Sequence, residues 1–204
     1  MMSPEKALKM LKDGNERFWK GDSIHPNRSA ELRGELLNEQ KPFAVVIACS
    51  DSRVPVEIIF DVGLGDLFVI RTAGHVLSKE SMGSLEYAVQ SLGVKLVLIL
   101  GHDNCGAVES AMEAYKTRDS QEVSENLQAL LSHIYPVFEK IDLENNCALD
   151  GAIVENIHYQ IEDLKQKDAY IAQKVKNGEL NVVGAKYSLC TGMIEFYDKK
   201  EAVV

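Results

Sequence analysis

Two short stretches of the chain concentrate side chains that bind metals. The first contains Cys49, and the second contains His102 and Cys105. Two thiolates and one imidazole suit Zn²⁺, and three protein ligands with a fourth open position are typical of a catalytic zinc site. His102 and Cys105 stand at i and i+3 where a helix is predicted to start, so their side chains can point the same way. The alternative is that both cysteines are small buried apolar residues and His102 is an ordinary loop histidine.

An acidic and a basic residue follow the first cysteine. Asp51 and Arg53 lie two positions apart, so an extended segment projects both side chains from one face, where they can form a charge-assisted pair. Beside a zinc ion the carboxylate has two options: it can orient a water molecule on the metal, or it can become the fourth ligand and close the site. The alternative is an ordinary surface ion pair, which is worth about 0–1 kcal/mol.

The elements that must position these residues are strands of a parallel sheet. Continuous apolar runs at 43–49, 67–70 and 95–100 are typical of buried parallel strands. The two metal-binding stretches begin where the first and third runs end, and ligands bind at the carboxyl ends of strands in open parallel sheets. A helical segment near 84–92 separates the second and third runs. The alternation predicts an α/β fold with a mostly parallel central sheet flanked by helices.

The remaining sequence predicts further helices and a pair of strands. Ser3 and Pro4 mark the start of an N-terminal helix. A long amphipathic pattern begins near Ile153 and ends at the helix stop Asn177-Gly178. The other predicted elements are helices at 30–38, 107–116 and 122–141, and a C-terminal hairpin at 181–187 and 193–197 that extends one edge of the sheet.

We interpret the chain as one domain with four parts. The 204 residues suit a single core. The parts are an N-terminal helical arm (1–40), a zinc-site core (41–118), a helical region (119–178) and C-terminal strands (179–204).

Composition and charge exclude several classes of protein. Hydrophobic residues make up 46% and charged residues 26%, which is ordinary globular usage and argues against disorder. The net charge is −9 and no basic run is present, so we expect no nucleic-acid partner. No apolar run approaches the roughly 18 residues of a membrane helix, so we expect no membrane association.

The cysteines and the N-terminal sequence favour the cytoplasm. No secretory signal is visible at the N-terminus, although removal of a leader would leave a periplasmic location open. Four scattered cysteines do not form a disulfide framework. Cys147 and Cys190 have no metal-ligand spacing, and we interpret both as structural.

The two metal-binding stretches resemble those of a known family. Cys49-Ser-Asp51-Ser-Arg53, followed by Gly101-His102-x-x-Cys105-Gly106, is similar to the zinc-site motifs of the β-class carbonic anhydrases. The resemblance covers nearly the full length and is weakest at 115–178. Its further segments are 11–18, 40–43, 57–61, 65–71, 83–89, 105–107, 183–187 and 191–192.

The resemblance implies an enzyme that reversibly hydrates CO₂ to bicarbonate and a proton. One Zn²⁺ per chain would be bound by Cys49, His102 and Cys105, and a zinc-bound hydroxide would attack the CO₂ carbon. Asp51, paired with Arg53, would orient the water and accept its proton. Because two thiolates cancel the formal charge of Zn²⁺, this water should be less acidic than water on a three-histidine site, and activity should rise toward alkaline pH.

The resemblance also implies a substrate pocket and a subunit interface. Gln40 would donate a hydrogen bond to a substrate oxygen, and Phe68, Ala73 and Tyr87 would form an apolar wall, with core packing as the alternative for Phe68 and Tyr87. The family builds its site at a two-fold interface, so we expect a homodimer or a dimer of dimers. The residues expected to pack on a second chain are Leu8, Leu11, Phe18 and Trp19.

Three positions bear on which type of site this is. In some relatives the carboxylate binds the zinc, and bicarbonate binds at a second site that uses a Trp three residues before the first cysteine ligand. Val46 stands at that position here. The absence of the Trp and the presence of Gln40 favour an open site, in which Asp51 does not bind the zinc. His75 replaces a common Asn and could shuttle protons or make structural hydrogen bonds. Asp103 replaces a usual Ser and could raise the electron density at the zinc or cap the next helix.

Two other functions are compatible with the residues. The same fold and metal could hydrolyse a related heterocumulene, such as carbonyl sulfide or carbon disulfide. A non-catalytic zinc or redox protein could use Cys49 and Cys105 alone, but the pair of Asp51 and Arg53 would then have no purpose.

Overall fold

A five-stranded sheet lies at the centre of the computed structural model, which describes residues 2–117 and 123–197. The strands are β1 (Ala44–Cys49), β2 (Leu67–Thr72), β3 (Leu96–His102), β4 (Asn181–Tyr187) and β5 (Ile194–Tyr197). Their order is β2-β1-β3-β4-β5; the first four run parallel, and β5 pairs antiparallel with β4 at one edge. The predicted α/β fold with a mostly parallel sheet is therefore confirmed.

Helices flank the sheet. They are α1 (Pro4–Lys20), α2 (Ala30–Glu35), α3 (Val56–Ile59), α4 (Lys79–Gln90), α5 (Gly106–Thr117), α6 (Glu125–Leu131), α7 (Ala148–Lys167) and α8 (Ala169–Lys176). Single 3₁₀ turns occur at Ala73–His75 and Tyr135–Glu139. Among the described residues, none of the helices has the length and apolar character needed to cross a bilayer.

The two central strands are buried on both faces, which explains their continuous apolar runs. Alternate side chains of β1 and β3, such as Val46 and Leu98, pack in one cluster with α1 and α3. The intervening side chains, such as Ile47 and Ile99, pack in a second cluster with α4, α7 and α8. Because period-two alternation sends successive residues to opposite faces, both faces must be apolar when helices cover both.

Two of the predicted helices are interrupted. In the segment predicted at 122–141, whose first residue lies outside the described part, α6 ends at Leu131 and a 3₁₀ turn contains Pro136, which has no N–H to continue a helix. The long amphipathic pattern is divided at Asp168, whose extended backbone ends α7. Its Oδ1 accepts from the Ile171 N–H at 2.9 Å and caps α8. The apolar periodicity continues through the break and therefore hides it.

The N-terminal helix α1 packs on its own chain. Leu8 and Leu11 are 6% and 0% exposed within the first core cluster, and Phe18 packs against the same cluster. The expectation that these side chains cover a second chain is therefore wrong for Leu8 and Leu11. Trp19 remains 40% exposed. Asn15 joins the helix to β5, because its Oδ1 accepts from the Ile194 N–H at 2.9 Å.

A buried carboxylate joins the arm to the core. Asp61 is 1% exposed, and its Oδ2 accepts from Arg17 Nε at 2.6 Å. The backbone N–H groups of Ile24 and His25 donate to the same carboxylate at 3.0 and 2.9 Å. Burial alone would raise the pKa of Asp61, but these hydrogen bonds outweigh it and lower the pKa.

Replacement of Asp61 should make the fold less stable at neutral pH. Asp61→Asn removes one partner of a buried ion pair, so we expect the free energy of unfolding to fall by about 3 kcal/mol. The pKa in the folded state lies below the unfolded value of about 3.9, so this contribution is present above that pH and is lost as the pH falls through the folded pKa. Urea unfolding at neutral pH and near pH 3 should show the difference between wild type and variant shrinking in acid.

The control for this measurement is an exposed carboxylate on the same arm. Asp13 pairs with Lys9 on the surface of α1. Asp13→Asn should change the free energy of unfolding by less than about 1 kcal/mol. Equal losses for the two variants would contradict the anchoring role of Asp61.

Candidate metal centre

The carboxyl ends of β1 and β3 bring the three predicted ligands together. Cys49 is the last residue of β1, His102 is the last residue of β3, and Cys105 directly precedes α5. The two strands are parallel neighbours, so their ends meet at one edge of the sheet. All three residues are buried, and their ligand atoms lie within 4.8 Å of one another.

The geometry of these side chains fits a tetrahedral metal ion. The two sulfurs are 3.9 Å apart, and two Zn–S bonds of about 2.3 Å at a tetrahedral angle separate sulfurs by about 3.8 Å. His102 Nδ1 lies 2.8 Å from the Asp103 carbonyl oxygen, which can only accept, so Nδ1 carries the proton. His102 Nε2 is then a buried acceptor, and no hydrogen-bond partner for it occurs among the described residues. A metal ion would satisfy this lone pair.

Cys49 and Cys105 share one proton in a hydrogen bond between their sulfur atoms. A hydrogen bond from the Cys105 thiol lowers the pKa of Cys49, and the Gly74 N–H adds a second donor 3.3 Å from Cys49 Sγ. The same hydrogen bond to Cys49 raises the pKa of Cys105, which keeps the shared proton. Metal ligation requires both thiolates, so binding of a divalent cation would release that proton.

Asp51 and Arg53 form the predicted ion pair beside these ligands. Arg53 Nε donates to Asp51 Oδ1 at 3.0 Å, and Nη2 donates to Oδ2 at 2.7 Å. The Arg53 side chain therefore lowers the pKa of Asp51 to about 2. Asp51 Oδ2 lies 3.9 Å from His102 Nε2, so an ionised, acceptor-only carboxylate faces the ligand cluster across the neutral range.

Arg71, a residue with no predicted role, positions this loop. Its Nε donates to the Cys49 carbonyl at 3.1 Å, and its Nη2 donates to the Asp51 carbonyl at 2.7 Å. These two bonds hold the backbone between the first ligand and the carboxylate. The available signal was a charged residue at the carboxyl end of the otherwise apolar strand β2.

The predicted substrate residues do not all meet the ligands within one chain. Ala73 is close, because the next residue donates its N–H to Cys49 Sγ. Phe68 pairs with Val45 at the opposite end of the strands, about 13 Å along β2 from the ligand end at 3.3 Å per residue. The rings of Phe68 and Tyr87 lie 6.2 Å apart, and Tyr87 is 49% exposed.

Gln40 is also remote from the cluster of its own chain. It is exposed and precedes β1, whereas Cys49 ends that strand. The six residues of β1 place the two ends about 16 Å apart. Gln40 therefore lies at the opposite edge of the sheet from the metal-binding side chains.

The two residues that depart from the family pattern have structural contacts. His75 is 0% exposed, its Nε2 lies 3.0 Å from Asn156 Nδ2, and burial lowers its pKa to about 4. These contacts favour structural hydrogen bonding over proton shuttling. Asp103 Oδ1 accepts from the Leu189 N–H at 2.9 Å, so the carboxylate anchors the turn after β4. Of the two alternatives left open for Asp103, capping of α5 has no hydrogen bond to support it among the described residues, because the side chain bonds this turn instead.

The two remaining cysteines lie outside the core. Cys147 precedes α7, Cys190 lies in the turn after β4, and both are exposed. Neither belongs to the metal-binding cluster, and the interpretation of both as structural residues stays a prediction.

Comparison with known proteins agrees with the geometry of the centre. A family model described as carbonic anhydrase matches residues 44–194. The carbonic anhydrase of Mycolicibacterium smegmatis is 39% identical over 194 residues, which are 95% of this chain and 93% of that protein. Carbonic anhydrase 2 of Mycobacterium tuberculosis is 40% identical over 190 residues, which are 93% of this chain and 91% of that protein.

Solved structures of β-carbonic anhydrases share this fold. The solved structure of the β-carbonic anhydrase CcaA superposes with a TM-score of 0.72 at 26% identity, covering 95% of this chain and 88% of that chain. A family model that spans most of the chain, full-length relatives and a shared fold all agree. The chain belongs to the carbonic anhydrase family and has the fold of its β class.

Proposed function

We propose that this chain catalyses the zinc-dependent, reversible hydration of carbon dioxide to bicarbonate and a proton. The observation that carries the proposal is the convergence of two thiols and His102 Nε2, which has no hydrogen-bond partner among the described residues, with the Asp51 carboxylate 3.9 Å from that nitrogen. Structural zinc sites are closed by four protein ligands. Here three ligand side chains converge, and the Asp51 carboxylate faces the fourth side, where it can orient a water molecule in an open site.

Cys49, His102 and Cys105 would hold the metal ion. Zn²⁺ bound by three protein ligands lowers the pKa of a water molecule toward neutrality and so supplies the nucleophile for carbon dioxide. The His102 ring is held by its hydrogen bond to the Asp103 carbonyl, which keeps Nε2 as the ligand atom. The Gly74 N–H stabilises the Cys49 thiolate.

Asp51 and Arg53 would orient the attacking water. The ionised carboxylate can only accept, so a water molecule beside it must donate one proton to Oδ2 and present a lone pair elsewhere. Two side-chain hydrogen bonds from Arg53 fix the direction of the carboxylate. Arg71 holds the backbone that carries Asp51, because it donates to the carbonyl oxygens of Cys49 and Asp51.

The first experiment is stopped-flow CO₂ hydration with zinc quantified on the same sample. We expect about one zinc per chain and activity that rises from about pH 6.5 to about pH 9, with substantial activity already near pH 7.5. His102→Ala should lose zinc and activity together, because it removes one of the three ligands. His133→Ala, which changes a histidine outside the cluster, should keep both.

The same measurement separates the competing functions. Activity that appears only above about pH 8 would show Asp51 closing the site at rest. Stoichiometric zinc without CO₂ hydration at any pH would contradict the proposal. Turnover of carbonyl sulfide or carbon disulfide would then identify the heterocumulene hydrolase, and its absence would favour the non-catalytic protein.

Removal of the charge at Asp51 should reduce turnover without removing the metal. Asp51→Asn keeps the side-chain shape but presents an amide that cannot act as an ionised acceptor. We expect kcat/KM to fall by about 10²- to 10⁴-fold with zinc content unchanged. Asp150→Asn, at an exposed carboxylate that pairs with Lys186, is the control and should be neutral. An Asp51→Asn variant with wild-type kcat/KM would eliminate the orienting role.

We further propose that the site is completed by a second copy in a homodimer, which could associate further into a dimer of dimers. The predicted substrate residues Gln40, Phe68 and Tyr87 lie away from the ligands of their own chain, so a role in substrate binding would place them at the site of a neighbouring chain. An exposed apolar surface adjoins the edge strand β2. Ile58 and Leu64 are 49% and 44% exposed and line a cavity of about 510 Å³ with Leu67.

A charge on this apolar surface should dissociate the dimer. Ile58→Glu would bury a carboxylate without a partner in the interface. We expect a monomer in sedimentation velocity, with zinc retained and activity reduced at least about tenfold because the substrate residues of the partner are lost. Leu127→Glu, at an apolar residue of α6 that is 44% exposed, should leave both unchanged. A fully active monomer would contradict a shared site.

A further inference from the structure

A buried polar network connects α7 to the turn that follows β2. Asn156 and Gln160 lie one helical turn apart and are 0% and 1% exposed. Gln160 Oε1 accepts from the Leu77 N–H at 3.0 Å, and Gln160 Nε2 donates to Asn156 Oδ1 at 3.2 Å. Asn156 Nδ2 donates to the Gly74 carbonyl at 3.0 Å and lies 3.0 Å from His75 Nε2. In each of the two side-chain amides the oxygen accepts one hydrogen bond and the nitrogen donates, so the orientation of both amides is determined.

The turn has a backbone that requires support. Gly74 and His75 have φ values of 65° and 48°, so two successive residues are left-handed. The left-handed region is unfavourable for a residue with a side chain such as His75. Asn156 binds the carbonyl of the first of these residues and the ring of the second. A single side chain from α7 therefore holds both halves of the turn.

The same turn contacts both ligand-bearing strands. The Gly74 N–H lies 3.3 Å from Cys49 Sγ at the end of β1. The His75 ring lies against Gly101, the residue before His102, where an added Cβ would come within 3.3 Å of His75 Cε1. Movement of the turn would therefore change the donor to one ligand and the packing beside another.

We propose that Asn156 is a positioning residue of the metal centre, which aims the Gly74 N–H at Cys49 Sγ and thereby raises the affinity of the site for its metal. An N–H donor stabilises a ligating thiolate, and the partners that orient ligands contribute to metal affinity. The inference rests on the proposed zinc site and assigns to it a residue of α7, an element that supplies no ligand.

The test is the isosteric variant Asn156→Asp. It keeps the volume and the oxygen that accepts from Gln160, but it replaces the donor Nδ2 by an oxygen that faces the Gly74 carbonyl. We expect the zinc dissociation constant, measured by chelator competition, to rise about 10- to 100-fold. In the cobalt-substituted protein, the thiolate-to-metal charge-transfer band should shift, because the hydrogen bond to Cys49 Sγ changes.

Leu164→Ala is the matched control. Leu164 is a buried residue of the same helix, 0% exposed, and packs in the second core cluster through an apolar side chain that makes no hydrogen bond of the network. This variant loosens α7 without changing the network, so it should retain the wild-type zinc affinity and cobalt spectrum. Equal weakening in Leu164→Ala and Asn156→Asp would overturn the proposal, because helix packing alone would then explain the loss.

A second variant covers the case in which Asn156→Asp does not fold. Gln160→Met removes the amide that orients Asn156 and should weaken zinc binding in the same direction by a smaller factor. Wild-type affinity and an unchanged cobalt spectrum in either folded variant would overturn the positioning role. A wild-type protein that binds no zinc would instead refute the proposed function itself.

Discussion

The parallel pairing of β1 and β3 is the constraint on which the metal centre depends. The register places Ala48 opposite Leu100, so the last residues of the two strands lie near each other at the same end of the sheet. Cys49 and His102 are far apart in the sequence, and the two strands themselves bring them together, so no long loop is needed to place either ligand. Because both strands are buried on both faces, a slip by one residue would move each side chain into the core on the opposite face, where it would not fit its neighbours. The ligand geometry is therefore as well determined as the core itself.

Polar groups in the interior are placed where one side chain can hold several segments. Asn15 bonds α1 to the backbone at Ile59, Gly192 and Ile194. Asp61 receives donors from three positions of the N-terminal arm. Unpaired polar groups are costly in the core, so each such residue specifies one arrangement of its neighbours. His102 Nε2 is one of three buried side-chain atoms without a hydrogen-bond partner among the described residues, and the two cysteine sulfurs beside it make it the candidate ligand of a metal ion.

The sequence predicts the strands and the candidate ligands because both follow from local patterns. Continuous apolar runs mark strands that are covered on both faces, and Cys49, Asp51 and Arg53 follow directly where one run ends. Arg71 and Asn156 could not be assigned in this way, since their roles depend on contacts across the sheet. The break between α7 and α8 at Asp168 could not be predicted, because the apolar periodicity continues from one helix into the other. The placement of Leu8 and Leu11 depended on tertiary packing, which periodicity does not report.

The close approach of α7 to the sheet has a consequence for how this protein can vary. A Cβ added at Gly101 or at Gly184 would come within 2.7 Å of Ile157, so two neighbouring strands lack side chains where that residue sits. Ile157 follows Asn156 directly in the helix. A larger residue at Gly101 or Gly184 would therefore require a smaller residue at position 157 of the helix. We expect natural variation at these positions to occur as compensating pairs, while the outer face of α7 changes independently.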